Sequence, residues 1–182
     1  MKKITLPLIA CVAIASSAFA GQEVKETKDY KTPEVPCFKD QELQIDAFAD
    51  WESRNSHESG FDSGKRSDGF GGGLGVNYFF MRYLGVGMDS NITSVSNGLW
   101  TFSGSIIARY PIEAGHLCIA PYVIGGGGFQ TDGVNAGTWH VGGGLEWRAT
   151  PHFGVYGEGR YTWAGDHVED NVRVSVGVRF IF

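Results

Sequence analysis

The sequence predicts an all-β chain: eight antiparallel strands that close, first against last, into a transmembrane barrel. Three observations predict it. The run from Asn171 to Phe182 alternates residue by residue, with Val172, Val174, Val176, Val178, Phe180 and Phe182 on one side of an extended chain. Asn171, Arg173, Ser175, Gly177 and Arg179 take the other side, and Ile181 alone breaks the pattern. Comparable runs recur along the chain, most of about nine to twelve residues, which suits tilted strands crossing a hydrocarbon layer. The links between them are long and polar, then short, in turn, as expected when every second connection faces the cell exterior.

The start of the chain supplies the address. Lys2 and Lys3 precede an apolar run from Ile4 to Ala15 and then Ser16-Ser17-Ala18-Phe19-Ala20. A basic start, a short apolar stretch and an Ala-x-Ala exit read as a secretory signal peptide, residues 1–20, cut after Ala20. A spanning helix needs a longer run. Leu8-Ile9-Ala10-Cys11 spells a lipoprotein site, but the apolar run continues past Cys11 to the cleavage signal. Removing twenty residues, two of them basic, leaves 162 residues with a formal charge of −7, against −5 for the whole chain. That balance argues against nucleic acid, which is bound by clustered Lys and Arg. Residues 21–40, polar and holding Pro33 and Pro36, are expected to form a periplasmic lead-in, and residues 41–182 the barrel domain.

Each strand follows from its apolar parity. The first carries Leu43, Ile45, Ala47, Ala49 and Trp51; the second Phe70, Gly72, Leu74, Val76, Tyr78 and Phe80; the third Leu84, Val86 and Met88. Trp100, Phe102, Ile106, Ala108 and Tyr110 mark the fourth. The fifth has Leu117, Ile119, Pro121 and Val123, but Cys118, Ala120, Tyr122 and Ile124 make its alternation poor. Trp139, Val141, Gly143, Leu145 and Trp147 mark the sixth, and Phe153, Val155, Tyr161 and Trp163 the seventh; the closing run is the eighth. Polar links are expected at 51–69, 89–98, 129–138 and 165–170, and compact reversals near Met81-Arg82, at 111–115 and at 150–152. Met81-Arg82 holds no turn-forming residue, so one long bent strand is the alternative there. An even strand number places both termini on the periplasmic side.

The opposite parity is charged. Asp46, Asp50, Asp89, Glu146 and Glu158 face inward together with Arg109, Arg148, Arg160, Arg173 and Arg179, which predicts an internally paired lumen. An eight-stranded barrel has an interior only wide enough for side chains, so an open pore is not expected. Glu146-x-Arg148 and Glu158-x-Arg160 read as filling pairs rather than acid/base machinery. The glycine runs at 71–73, 125–128 and 142–144 have no phosphate-loop context and are read as relief of crowding. Aromatic residues at strand ends, among them Trp51, Trp100, Tyr110, Trp139, Trp147 and Trp163, suit headgroup-level girdles. The five histidines form no metal-ligand pattern, and no cofactor is expected. Cys37 and Cys118 fall at one end of the barrel in a chain bound for an oxidising compartment; a disulfide or two free thiols are both open.

From Leu43 to Phe182 the chain resembles the small outer-membrane barrel family that includes the OmpA transmembrane domain and OmpX-like proteins. The resemblance implies that Val176, Val178, Phe180 and Phe182 form the signal read by the barrel assembly machinery. It also implies an integral protein of the bacterial outer membrane, surrounded by lipid and lipopolysaccharide, monomeric or weakly associated, and structural or adhesive in role. A host or surface ligand would meet its long links, above all 51–69. Facilitated passage of a small solute or apolar molecule is the alternative. Small barrels of this architecture also include lipid-modifying enzymes. Their His-x-Ser spelling occurs here only as His57-Glu58-Ser59, in a hydrophilic link without a strand-borne acid, so no enzyme is expected.

Overall fold

In a computed structural model, the described residues are 36–54, 67–94, 98–114, 117–131, 135–164 and 170–182. The signal peptide, most of the lead-in and His57-Glu58-Ser59 lie outside them. The strands are β1 (Glu42–Arg54), β2 (Ser67–Met81), β3 (Leu84–Thr93), β4 (Leu99–Arg109), β5 (Ile112–Ala114), β6 (Leu117–Thr131), β7 (Asn135–Thr150), β8 (Phe153–Ala164) and β9 (Asn171–Ile181). Eight of them form the wall. Every sequential wall pair is antiparallel, β4 pairs directly with β6, and β1 pairs with β9, which closes the sheet. Closure continues to the last residue, where the Phe182 amide donates to the Leu43 carbonyl at 2.9 Å. All backbone groups of a spanning sheet must be paired, and a closed barrel achieves this because it has no edge.

The parity of each strand sets which residues face out. On β9, Val172, Val174, Val176 and Phe180 are exposed, while Asn171, Arg173, Ser175, Arg179 and Ile181 are buried. The mixed run in β6 resolves the same way: Leu117 and Val123 are exposed, and Cys118, Ala120, Tyr122 and Ile124 are buried. Its inward apolar side is a small lumen cluster in which Tyr122 and Ile124 meet Phe79, Ile107 and Tyr156. The outer wall carries aromatic residues toward both ends. Phe70, Trp100, Phe129, Trp139 and Trp163 are exposed at one end, and Phe80, Tyr83, Tyr110, Trp147, Phe180 and Phe182 at the other. Trp and Tyr favour the water–hydrocarbon boundary because one ring has an apolar body and a polar handle.

Several expected boundaries are corrected. The reversal expected near Met81-Arg82 does form, as a two-residue turn at Arg82-Tyr83 with a register irregularity between Phe79 and Met81, so there are two strands rather than one bent strand. The third strand does not stop at Met88. Residues assigned to a polar link, Asp89 to Thr93, continue it, with Asp89, Asn91 and Thr93 buried and Ile92 exposed. The expected link 129–138 shrinks to 132–134, because β6 runs on to Thr131 and β7 starts at Asn135. The first link shrinks to 55–66. The reversal at 111–115 contains the short β5, which pairs with Leu117–Ile119 of β6. The wall strands are therefore 10 to 16 residues long, longer than their apolar parity suggests.

Candidate functional site

The lumen gathers the charge that the outer wall excludes. Among the described residues, seven carboxylates (Glu42, Asp46, Asp50, Glu52, Asp89, Glu146, Glu158) and five arginines (Arg109, Arg148, Arg160, Arg173, Arg179) are buried. Glu42 and Glu52 are additions to the sequence expectation. They lie one step beyond the apolar positions used to bound the first strand; extending the inward parity of Asp46 and Asp50 in both directions would have found them.

The ions form two connected chains. Nearer the short links, Arg109 pairs with Glu42 at 2.9 Å, Glu42 with Arg148 at 2.5 Å, Arg148 with Glu146 at 2.7 Å and Glu146 with Arg179 at 2.6 Å. Arg179 then takes Asp46 in a two-point fork, Nε and Nη2 each donating at 2.7 Å. The planar guanidinium matches a carboxylate in this way, and its fixed donors allow one arginine to bridge two acids. Asn77 donates to Asp46 at 2.8 Å, supplying a neutral partner to the same carboxylate.

Nearer the long links, Arg160 pairs with Glu158 and, at 2.6 Å, with Asp89. Arg173 reaches Asp89 at 3.1 Å and Asn91 at 3.0 Å, and Asn91 donates to Asp50 at 2.8 Å. Tyr122 joins the two chains: its hydroxyl donates to Glu158 at 3.0 Å, and its ring lies 5.9 Å from the Arg179 guanidinium. Tyr156 lies closer beneath that group, at 4.5 Å. Aromatic faces attract cations, so the rings act as additional partners for Arg179.

This packing leaves little room. A void of about 20 Å³ is lined by residues that include Asp46, Ser105, Tyr122, Glu158 and Arg179, and a second of about 10 Å³ by Glu52, Thr101, His140 and Arg173. Each approximates the space of a single water. Ser105 and His140 meet here at 2.8 Å, a contact the sequence reading missed because His140 stood at an assumed strand start. A serine beside an imidazole can in principle act as a nucleophile. Here both side chains are buried, and the contact is a hydrogen bond inside the packed lumen. Among the described residues, no group of three or more His, Cys, Asp or Glu side chains is arranged to hold a metal.

The residues expected to form an assembly signal lie on the outer side of β9, where it meets β1 and β8. Val176 lies opposite Ala49 and Gly157, Val178 opposite Ala47 and Val155, and Phe180 opposite Ile45 and Phe153. The Phe180 and Phe153 rings meet edge to face at 5.7 Å. Cys37 and Cys118 are joined in a disulfide with their Cα atoms 6.1 Å apart.

An apolar wall around a filled ionic lumen, closed by antiparallel strands, defines the class: a small eight-stranded transmembrane β-barrel. Comparison with solved structures places the same fold in several proteins. Neisserial surface protein A matches with a TM-score of 0.62 at 16% identity, over 76% of this chain and 96% of that one. The N-terminal β-barrel domain of OprF from Pseudomonas aeruginosa matches with a TM-score of 0.59 at 17% identity, over 79% and 99%. Ail, the attachment invasion locus protein of Yersinia pestis, matches with a TM-score of 0.54 at 17% identity, over 79% and 99%. No family model and no curated protein matches the sequence. The likeness is one of fold.

Proposed function

We propose that this chain is a non-enzymatic, monomeric barrel of the bacterial outer membrane, with both termini in the periplasm. The links 55–66, 94–98, 132–134 and 165–170 then face outward and carry a structural or surface-interaction role. One observation carries the reading: the inversion of polarity, with Leu74, Val123 and Val176 outside and paired ions within. An exterior of that kind suits acyl chains, and lipopolysaccharide would surround the outer half. The filled lumen weighs against passage of solutes. Purified protein in planar bilayers is expected to give no reproducible conductance steps and no solute-dependent flux; sustained flux would overturn this part of the proposal. On intact cells, protease should cut within 55–66 and spare Arg82-Tyr83 and Pro151-His152. Cleavage at those short turns instead would reverse the orientation. Release of acyl chains from lipid, abolished by His57→Ala or Ser59→Ala, would displace the non-enzymatic role.

The terminal strand supports recognition by the barrel assembly machinery. Phe182 is 70% exposed, so its ring contributes little to the packed interior, although its backbone completes the β1 pairing. Deleting Phe182 should lower the amount of folded protein in the outer membrane several-fold while refolding into lipid vesicles stays near normal. Equal loss in cells and in vesicles would assign Phe182 to stability instead of recognition.

A further inference from the structure

Residues 37–40 cross the mouth of the lumen at the short-link end. Phe38 is fully buried, with its ring 3.9 Å from the Arg148 guanidinium and 5.0 Å from that of Arg109. The same two arginines donate to the segment's backbone, Arg148 to the Cys37 carbonyl and Arg109 to the Lys39 carbonyl at 3.4 Å. In return the Phe38 amide donates to Glu113 at 3.1 Å and the Lys39 amide to Glu42 at 3.2 Å. The segment is a stopper, seated on the outermost ion pairs of the lumen. Gln41 turns it into β1 with a φ of 56°, a conformation disfavoured for residues with a Cβ. Beyond this turn, the Cys37–Cys118 disulfide, which spans 81 positions of sequence, ties the stopper covalently to the opposite wall.

We infer that this disulfide is a thiol-exchangeable latch that holds the stopper in the mouth of the barrel. Ordering the stopper costs conformational entropy at every residue and includes the unfavourable Gln41 conformation. One buried ring and a few hydrogen bonds return a comparable amount, so the covalent tie decides whether the mouth is closed. The two sulfurs differ in access: Cys37 is half-buried and Cys118 is buried. A thiolate from a dithiol reductant attacks the Cys37 sulfur and forms a mixed disulfide with it; the Cys37–Cys118 bond breaks, and Cys118 leaves as a thiolate and takes up a proton. The reductant's second thiol then displaces Cys37, which is protonated in turn. The reductant ends as its own disulfide, having supplied two electrons and two protons. With the stopper out, Arg109 and Arg148 lose the Phe38 ring and two carbonyl partners and face the short-link side. The Arg179 layer above them stays filled, so exchange opens the mouth without opening a pore. In the cell, the reductant's compartment follows from the periplasmic placement proposed above; the chemistry itself does not depend on it.

Hydrogen exchange on the full chain in detergent micelles, with and without dithiothreitol, tests the latch, and thiol alkylation counts the cysteines released. After reduction the Phe38 and Lys39 amides should exchange at least about tenfold faster, while the paired amides of β1 and β6 keep their protection. The Cys37→Ser/Cys118→Ser variant should match the reduced protein without reductant, and reoxidation of the natural chain should restore protection. Unchanged protection of Phe38 and Lys39 in the reduced chain would overturn the inference. So would loss of protection spreading through β1 and β6, since the disulfide would then hold the barrel itself, and so would failure of the folded protein to react with dithiothreitol.

Discussion

Arg179→Met should destabilise the barrel by about 3–5 kcal/mol, the usual cost of removing one member from a buried ionic group. Arg179 is the junction of its chain: it forks onto Asp46 and reaches Glu146, and both carboxylates are buried. Methionine fills a similar volume but leaves Asp46 with only the Asn77 amide, and Glu146 with Arg148 alone. The expected cost comes from stranded negative charge, since buried ions left without partners are far more costly than neutral groups. Replacing the whole junction, Asp46→Asn with Glu146→Gln and Arg179→Met, should therefore recover most of the loss, because paired buried charges are often no more stable than neutral substitutes. Urea unfolding in vesicles of one lipid composition measures both variants. A single-variant loss below about 1 kcal/mol, the range of an exposed ion pair, would show that water reaches this layer. A triple variant as unstable as the single one would mean that arginine's packing, rather than its charge, holds the wall apart.

The same inversion of polarity explains which parts of the structure could be read from sequence. Alternation in β9 and β7 identified their outward faces because one parity is strongly apolar and the other strongly polar. It failed at strand ends. In a soluble sheet a cluster such as Asp89-Ser90-Asn91 signals a link, but here Asp89 and Asn91 are lumen residues of β3, bound to Arg160 and Arg173. Polarity loses its value as a loop marker once the interior is polar. Gly125 to Gly128, read as relief of crowding, has no visible parity because it lacks side chains, and β6 passes straight through it. The charged lumen residues were legible one by one, as were the same-strand pairs Glu146–Arg148 and Glu158–Arg160; their partners on other strands were not. Which arginine reaches which acid depends on the stagger between strands, which sets Glu146 beside Arg179 across β7, β8 and β9. The stopper had no signal beyond Cys37. Phe38 is an isolated aromatic residue outside any alternating run, and its burial follows from the disulfide and the Gln41 turn.

Gly126→Ala and Gly128→Ala should each destabilise the barrel, and together they should prevent most of the chain from folding, whereas Gly157→Ala should be neutral or slightly stabilising. The three glycines sit in neighbouring parts of the same wall but have different surroundings. A Cβ at Gly126 would run into the Gly104 carbonyl of β4, and one at Gly128 into the Phe102 carbonyl of the same strand. Both obstacles are backbone, so no side chain can rotate away; β4 and β6 would have to separate where they pair. Overpacking of this kind costs about 1–3 kcal/mol per site. The two sites are two residues apart on one strand pair, so their effects should combine in one displacement. At Gly157 a Cβ meets nothing within 4 Å. There the substitution only reduces the freedom of the unfolded chain, worth about 0.4–1 kcal/mol in favour of folding when the native backbone accepts alanine. Folding yields and urea midpoints of the four variants in one lipid provide the comparison. If Gly126→Ala and Gly157→Ala behaved alike, the glycine run would be a matter of strand propensity, and the close approach of β4 to β6 would not be what requires it.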